Sequence, residues 1–166
     1  MTYSQILLPE FNQEMTSTRK MLERVPDGQF DWKPHPKSMA LGRLASHVAE
    51  LPSWATMTIN TEKLELTPDF KPFSAGSTAE LVSTLDKYAE EARTAIAGAT
   101  DEALAVNWSL VFNGHTVMTM PRSAVLRSVV MNHLIHHRAQ LSVYLRLLNV
   151  EIPGMYGPSA DEGRFF

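Results

Sequence analysis

Cysteine is absent from all 166 residues. No disulfide stabilises the fold, and no thiolate of the chain's own serves as nucleophile or metal ligand. Any metal is therefore held by nitrogen and oxygen, and any thiol in a reaction comes from a substrate. Long apolar runs are also missing: none approaches the roughly 20 residues that cross a bilayer, so no membrane partner is expected. The N-terminus shows no basic region followed by a short apolar one, so no secretion signal is read and a cytoplasmic location is expected. Lys and Arg form no block, and the net charge is −3. A duplex-binding protein usually carries a basic patch or stripe, so nucleic acid is not an expected partner. Internal repeats and low-complexity segments are absent too.

What is present is an ordinary globular composition, 44% hydrophobic and 20% charged, in a length that fits one domain over residues 1–166. Hydrophobic periodicity predicts an all-α protein of four helices. Leu8, Phe11, Met15, Thr18, Leu22 and Val25 recur at spacings of three and four, which predicts a helix over residues 4–25 ended by Pro26-Asp27-Gly28. The Pro-rich stretch 32–38 reads as an extended loop, with Ser38 a candidate N-cap. A second helix is expected over residues 39–61, with Ala40, Leu44, His47, Leu51 and Trp54 along one side. Pro52 should kink it one turn past His47. After a linker over residues 62–76, Ser77 caps a third helix over residues 77–97. Residues 106–120 hold Asn113-Gly114 between two β-prone runs, the signal of a small hairpin attached to the bundle. Pro121 then opens a fourth helix over residues 122–148, whose stripe is Leu126, Val130, His133, His137, Gln140, Tyr144 and Leu148.

Two polar rings on that stripe stand where Leu or Val is expected. His133 and His137 are four apart, so both imidazoles lie on one helix face, one turn apart. Rings directed into a core need partners, and one ion bridging both supplies them. Two imidazoles hold a metal weakly, so a third ligand from a facing helix is expected. His47, between Leu44 and Leu51 on its own apolar stripe, is the best candidate. Three nitrogens with one position open form a familiar catalytic zinc arrangement, and nickel, iron or manganese also suit imidazoles. The bland alternative is a set of core histidines hydrogen-bonded to carbonyls or hydroxyls.

His136 lies about 60° from His133 around the helix, as an alternative to His137 or a supporting group. His35 and His115 read as loop or surface residues. Glu50, three after His47, is within reach of the ion or of the ring proton, but an ordinary helix-surface glutamate is the simpler reading. The sequence argues against a di-metal carboxylate site, because no Glu is followed three residues later by His.

The segments Leu41-Gly-Arg-Leu-Ala-Ser-His47 and Asn132-His-Leu-Ile-His-His-Arg-Ala-Gln140, with the ending Pro153-Gly-Met-Tyr-Gly-Pro-Ser-Ala-Asp-Glu162, resemble the DinB family, the DinB/YfiT-like metalloenzymes. The resemblance spans nearly the whole chain. It implies a four-helix bundle in up-down-down-up order, a three-His site mapping onto His47, His133 and His137, frequent homodimers and a link to stress response. Characterised relatives include thiol-dependent S-transferases and a thiol-dependent isomerase. Ala139 stands where many relatives carry Gly, a change that leaves the ligands untouched.

Two classes of function follow. One is a metal-dependent enzyme that transfers a low-molecular-weight thiol to an electrophile, with Trp54, Tyr144 and several Met residues as candidate cavity lining. Water activated at the same open position would make it a hydrolase. The other is a non-catalytic metal-bearing protein, with the ion serving stability or ligand sensing. No role is read for Asp161 and Glu162.

Overall fold

The computed structural model describes residues 1–163; residues 164–166 of the expected domain lie outside the described residues. The architecture is mostly helical with a small three-stranded sheet. Helix α1 spans Tyr3–Leu22 and begins with a capping box, in which the Thr2 hydroxyl accepts from the Gln5 amide and the Gln5 side chain accepts from the Thr2 amide. Pro9 lies inside it, on the exposed side. The helix stops three residues short of the expected end, yet Val25 stays buried.

The expected second helix is broken into two, α2 (Leu41–Glu50) and α3 (Ser53–Asn60). The break falls at Leu51–Pro52, where proline offers no amide to the Val48 carbonyl. Ser38 does not cap α2. The N-cap is Ala40, and the preceding loop does the work: the Phe30 and Trp32 carbonyls accept from the amides of Gly42 and Leu41, each at 2.9 Å. Gly42 is required for that approach, because a Cβ there would lie 2.7 Å from the Phe30 ring.

Strand β1 (Lys63–Leu66) lies in what reads as a linker. Helix α4 (Thr78–Gly98) then starts with Ser77 accepting from the Glu80 amide, as expected. The short helix α5 (Asp101–Ala105) leads into β2 (Asn107–Phe112) and β3 (His115–Pro121). These two strands form the expected hairpin. Asn113 and Gly114 at its tip have φ of 48° and 77°, the left-handed pair of a type I′ turn. The hairpin is not isolated, however. β1 adds to it in parallel, with Leu64 opposite Leu110 and Leu66 opposite Phe112.

A continuous helical rod covers residues 122–147 in three parts: α6 (Arg122–Val125), a π-helical stretch (Leu126–Asn132) and α7 (His133–Leu147). The rod ends in a Schellman motif. Asn149 takes φ 58°, its amide bonds to the Arg146 carbonyl, and the Val150 amide bonds to the Leu145 carbonyl. Arg122 anchors the start of the rod by donating to the carbonyls of Thr58, Ala103 and Thr61.

α1 packs against α4 and α7, while α2 packs against the same two helices. Leu7, Phe11, Met15 and Leu22 of α1 share the core with Leu44 and Val48 of α2, Leu81 and Leu85 of α4, and Leu134, Leu141 and Leu145 of α7. Burial of these side chains is the main stabilising force, on the order of 2 kcal/mol each. The tail after α7 is pinned by Asp161, which accepts from both terminal guanidinium nitrogens of Arg146 and from the Ile152 amide. Glu162 accepts from the Ser159 amide. These contacts give both acidic residues of the tail a structural role.

Candidate metal centre

The α2 helix presents His47 toward the start of α7, which presents His133 and His137 one turn apart. The three rings converge, with centroids 5.0 Å (47–133), 4.8 Å (47–137) and 4.6 Å (133–137) apart. One ring nitrogen from each lies within 4.8 Å of the other two, so the group could hold a metal ion. The helix that carries His133 is wound wide just before it. Such π stretches are rare and often accompany functional sites.

Each Nδ1 has its own acceptor. His47 Nδ1 is 2.8 Å from Glu50 Oε1, His137 Nδ1 is 2.7 Å from Gln140 Oε1, and His133 Nδ1 is 3.2 Å from the Val129 carbonyl oxygen. A carbonyl or carboxylate oxygen can only accept here, so each ring carries its proton on Nδ1 and exposes a lone pair at Nε2. The consequence is a close approach of His47 Nε2 and His133 Nε2 at 3.3 Å. With both rings neutral, two lone pairs face each other. Two nitrogens on one tetrahedral zinc at ~2.05 Å stand about 3.3 Å apart, so this spacing suits a shared cation. The chemistry of the donor set therefore fits a divalent ion, with one carboxylate, one amide and one backbone carbonyl orienting the three rings from behind.

Glu50 is not the helix-surface glutamate of the simpler reading. It is 9% exposed and bonds to Arg43 as well as His47. Burial alone raises its carboxyl pKa, but the hydrogen bonds from His47 and Arg43 reverse that and hold it below the ordinary value. Gln140 repeats at His137 the spacing noted for Glu50 at His47, a repeat the sequence reading passed over: each follows its histidine by three residues, which brings a side-chain oxygen against Nδ1 on the same helix face.

The remaining candidates fall outside the group. His136 is exposed, with its ring 4.9 Å from that of His137. His35 accepts from the Lys37 amide in its loop, and His115 is exposed at the start of β3. Trp54 stands edge-on to His133 at 6.1 Å between centroids, which keeps it at the site. Tyr144 instead packs edge-on against Trp32 at 5.6 Å and donates to the Met39 carbonyl.

Burial, reinforced by the neighbouring His47 and His137 rings, pushes the His133 pKa down from 6.5 to about 4. His137 is also lowered, first by burial. The unfolded chain therefore binds a proton at His133 below pH 6.5, while the folded chain refuses it until about pH 4. The contribution of His133 to the stability of the metal-free protein is fully present above pH 6.5 and falls away as the pH drops through that window. Urea midpoints at several pH values should show a shallower decline for His133→Gln than for the wild type; parallel curves would refute the assignment.

Comparison with known proteins identifies the family and the fold. The family model described as "DinB family" matches residues 1–164. The uncharacterized protein YrdA of Bacillus subtilis (strain 168) is 26% identical over 157 residues, covering 90% of this chain and 85% of YrdA. Among solved structures, a DinB-like protein from Bacillus cereus ATCC 10987 is similar with a TM-score of 0.68 and 24% identity, covering 90% of this chain and 95% of that one. The DinB-like protein YjoA from Bacillus subtilis is similar with a TM-score of 0.68 and 19% identity, covering 89% and 95%.

Proposed function

The chain belongs to the DinB family, and on that premise we propose that it is a metal-dependent enzyme in which His47, His133 and His137 hold one divalent ion. The reaction we assign is transfer of a low-molecular-weight thiol to an electrophile. Zinc or nickel is the ion of choice, with iron and manganese as alternatives. The carrying observation is the pair of facing Nε2 atoms at 3.3 Å, each on a ring whose Nδ1 is already satisfied. As architecture we propose one domain, a four-helix bundle in up-down-down-up order. The ring of contacts α1–α4–α2–α7–α1 supports it, and the 17 residues between α3 and α4 are long enough to let two consecutive helices run parallel.

The roles of the side chains follow from their bonds. Glu50, Gln140 and the Val129 carbonyl fix the tautomer of each ring, so that Nε2 is the ligand atom without a conformational search. Trp54, edge-on to His133, shields that ring from water. When bound, the ion supplies positive charge that lowers the pKa of a thiol or water brought to it. The three ligands are neutral imidazoles, so the ion keeps its full charge toward a substrate anion. With no cysteine in the chain, the protein has no thiol to compete with the substrate's.

The test is elemental analysis of the untagged protein, followed by incubation of loaded and metal-stripped forms with several biological thiols and a generic electrophile. One ion per chain and turnover that disappears on stripping are the expected results. An ion bound without any thiol-dependent turnover would leave a metal-bearing protein and defeat the transferase reading.

A further inference from the structure

Residues 67–76, which precede α4, hold no regular structure, yet they are fastened to α2 at three points. The Phe73 amide donates to Glu50 Oε2 at 3.2 Å, Arg43 Nη1 donates to the Phe73 carbonyl at 3.2 Å, and the Ala75 amide donates to the fully buried Ser46 hydroxyl at 2.9 Å. Arg43, Ser46 and Glu50 are spaced three and four apart, so one face of α2 carries all three anchors. The same carboxylate serves two clients. Glu50 Oε1 accepts from His47 and from Arg43, while Oε2 accepts from the segment.

We infer that Glu50 is a positioning residue that couples ion occupancy at the three-imidazole centre to the seating of residues 73–75. This inference rests on the metal reading above. An ion on His47 Nε2 withdraws electron density from the ring and makes Nδ1–H a stronger donor, which tightens its bond to Glu50. A carboxylate held by its Oε1 has its Oε2 held in line with the Phe73 amide. Coupling of this kind is reciprocal: loosening the segment frees Glu50, slackens His47 and weakens the ion's binding by the same factor. The segment carries half-buried Phe73, packed against the core, so occupancy also bears on where that ring sits.

The test is hydrogen exchange of the full chain with and without zinc, and with and without nickel, together with affinities measured by chelator competition. Metal should slow exchange at residues 73–75 in the wild type. Glu50→Gln should weaken binding about tenfold or more and abolish that response. The Ser46 hydroxyl bonds to the Ala75 amide and to neither the His47 nor the Glu50 side chain, so Ser46→Ala leaves the His47–Glu50 bond in place. It should speed exchange at Ala75 and still weaken metal binding about two- to fivefold. Stoichiometric binding with unchanged exchange at 73–75 would overturn the coupling alone, as would a Ser46→Ala protein with a loosened segment and wild-type affinity. A wild-type chain that binds neither ion would overturn the metal reading and the coupling with it.

Discussion

Replacing His133 or His137 by alanine should abolish stoichiometric binding of a divalent ion and leave a helical protein. Each substitution removes one of three neutral nitrogens and leaves two, on which an ion exchanges freely. The fold tolerates the loss because all three rings are half-buried at the edge of the core, whose large side chains lie elsewhere. Alanine also favours helix at both positions. His136→Ala is the control: its ring lies outside the converging group and should retain one ion per chain. Elemental analysis after gel filtration, with circular dichroism of the same samples, reads both halves of the expectation. Unchanged metal content in His133→Ala or His137→Ala would remove the site.

The parts legible in the sequence are those whose signal is local. Asn113-Gly114 demands left-handed backbone at both positions, so the hairpin follows from two residues. His133 and His137 sit on an apolar stripe where a polar ring is costly without a partner, so their pairing follows from spacing. His47 needed a further step, because facing helices are joined only by packing. Strand β1 was hidden for a related reason: Lys63–Leu66 is four residues long and pairs in parallel with a strand more than 40 residues away. No hairpin turn joins it to its partner, and only the alternation of Leu64 and Leu66 hints at it. The π stretch left no trace, since Leu126 and Val130 fit a three-and-four spacing as well as a wider one. The α2 start was misread because its first amides bond to the carbonyls of Phe30 and Trp32, and backbone acceptors carry no sequence signature.

The same blindness to long-range pairs hid Glu14 and Arg138, and they carry the second large prediction. Arg138 follows the clustered histidines along α7 but points away from them, into contact with α1. It is 2% exposed, Glu14 is 4% exposed, and the pair meets at 2.6 Å. Arg138 also donates to the Glu14 carbonyl, to the Thr18 hydroxyl and to the hydroxyl of Tyr156, which in turn donates to the Glu14 carboxylate. The network thus ties α1, α7 and the tail at one point. Arg138→Met keeps the apolar stem and removes the charge, which among the described residues leaves the buried carboxylate the Tyr156 hydroxyl as its one donor. The expected loss of stability is about 3–5 kcal/mol. Glu14→Leu in the same chain should recover most of it, because a well-packed apolar pair avoids the desolvation that both charges suffer. Thr18 can then bond to its own i−4 carbonyl, that of Glu14, and Tyr156, largely exposed, can turn its hydroxyl to water. Urea unfolding of wild type, both single variants and the double variant closes the cycle. A double variant no more stable than Arg138→Met, or an Arg138→Met chain within about 1 kcal/mol of wild type, would show that the pair is not what locks the tail and α7 to α1.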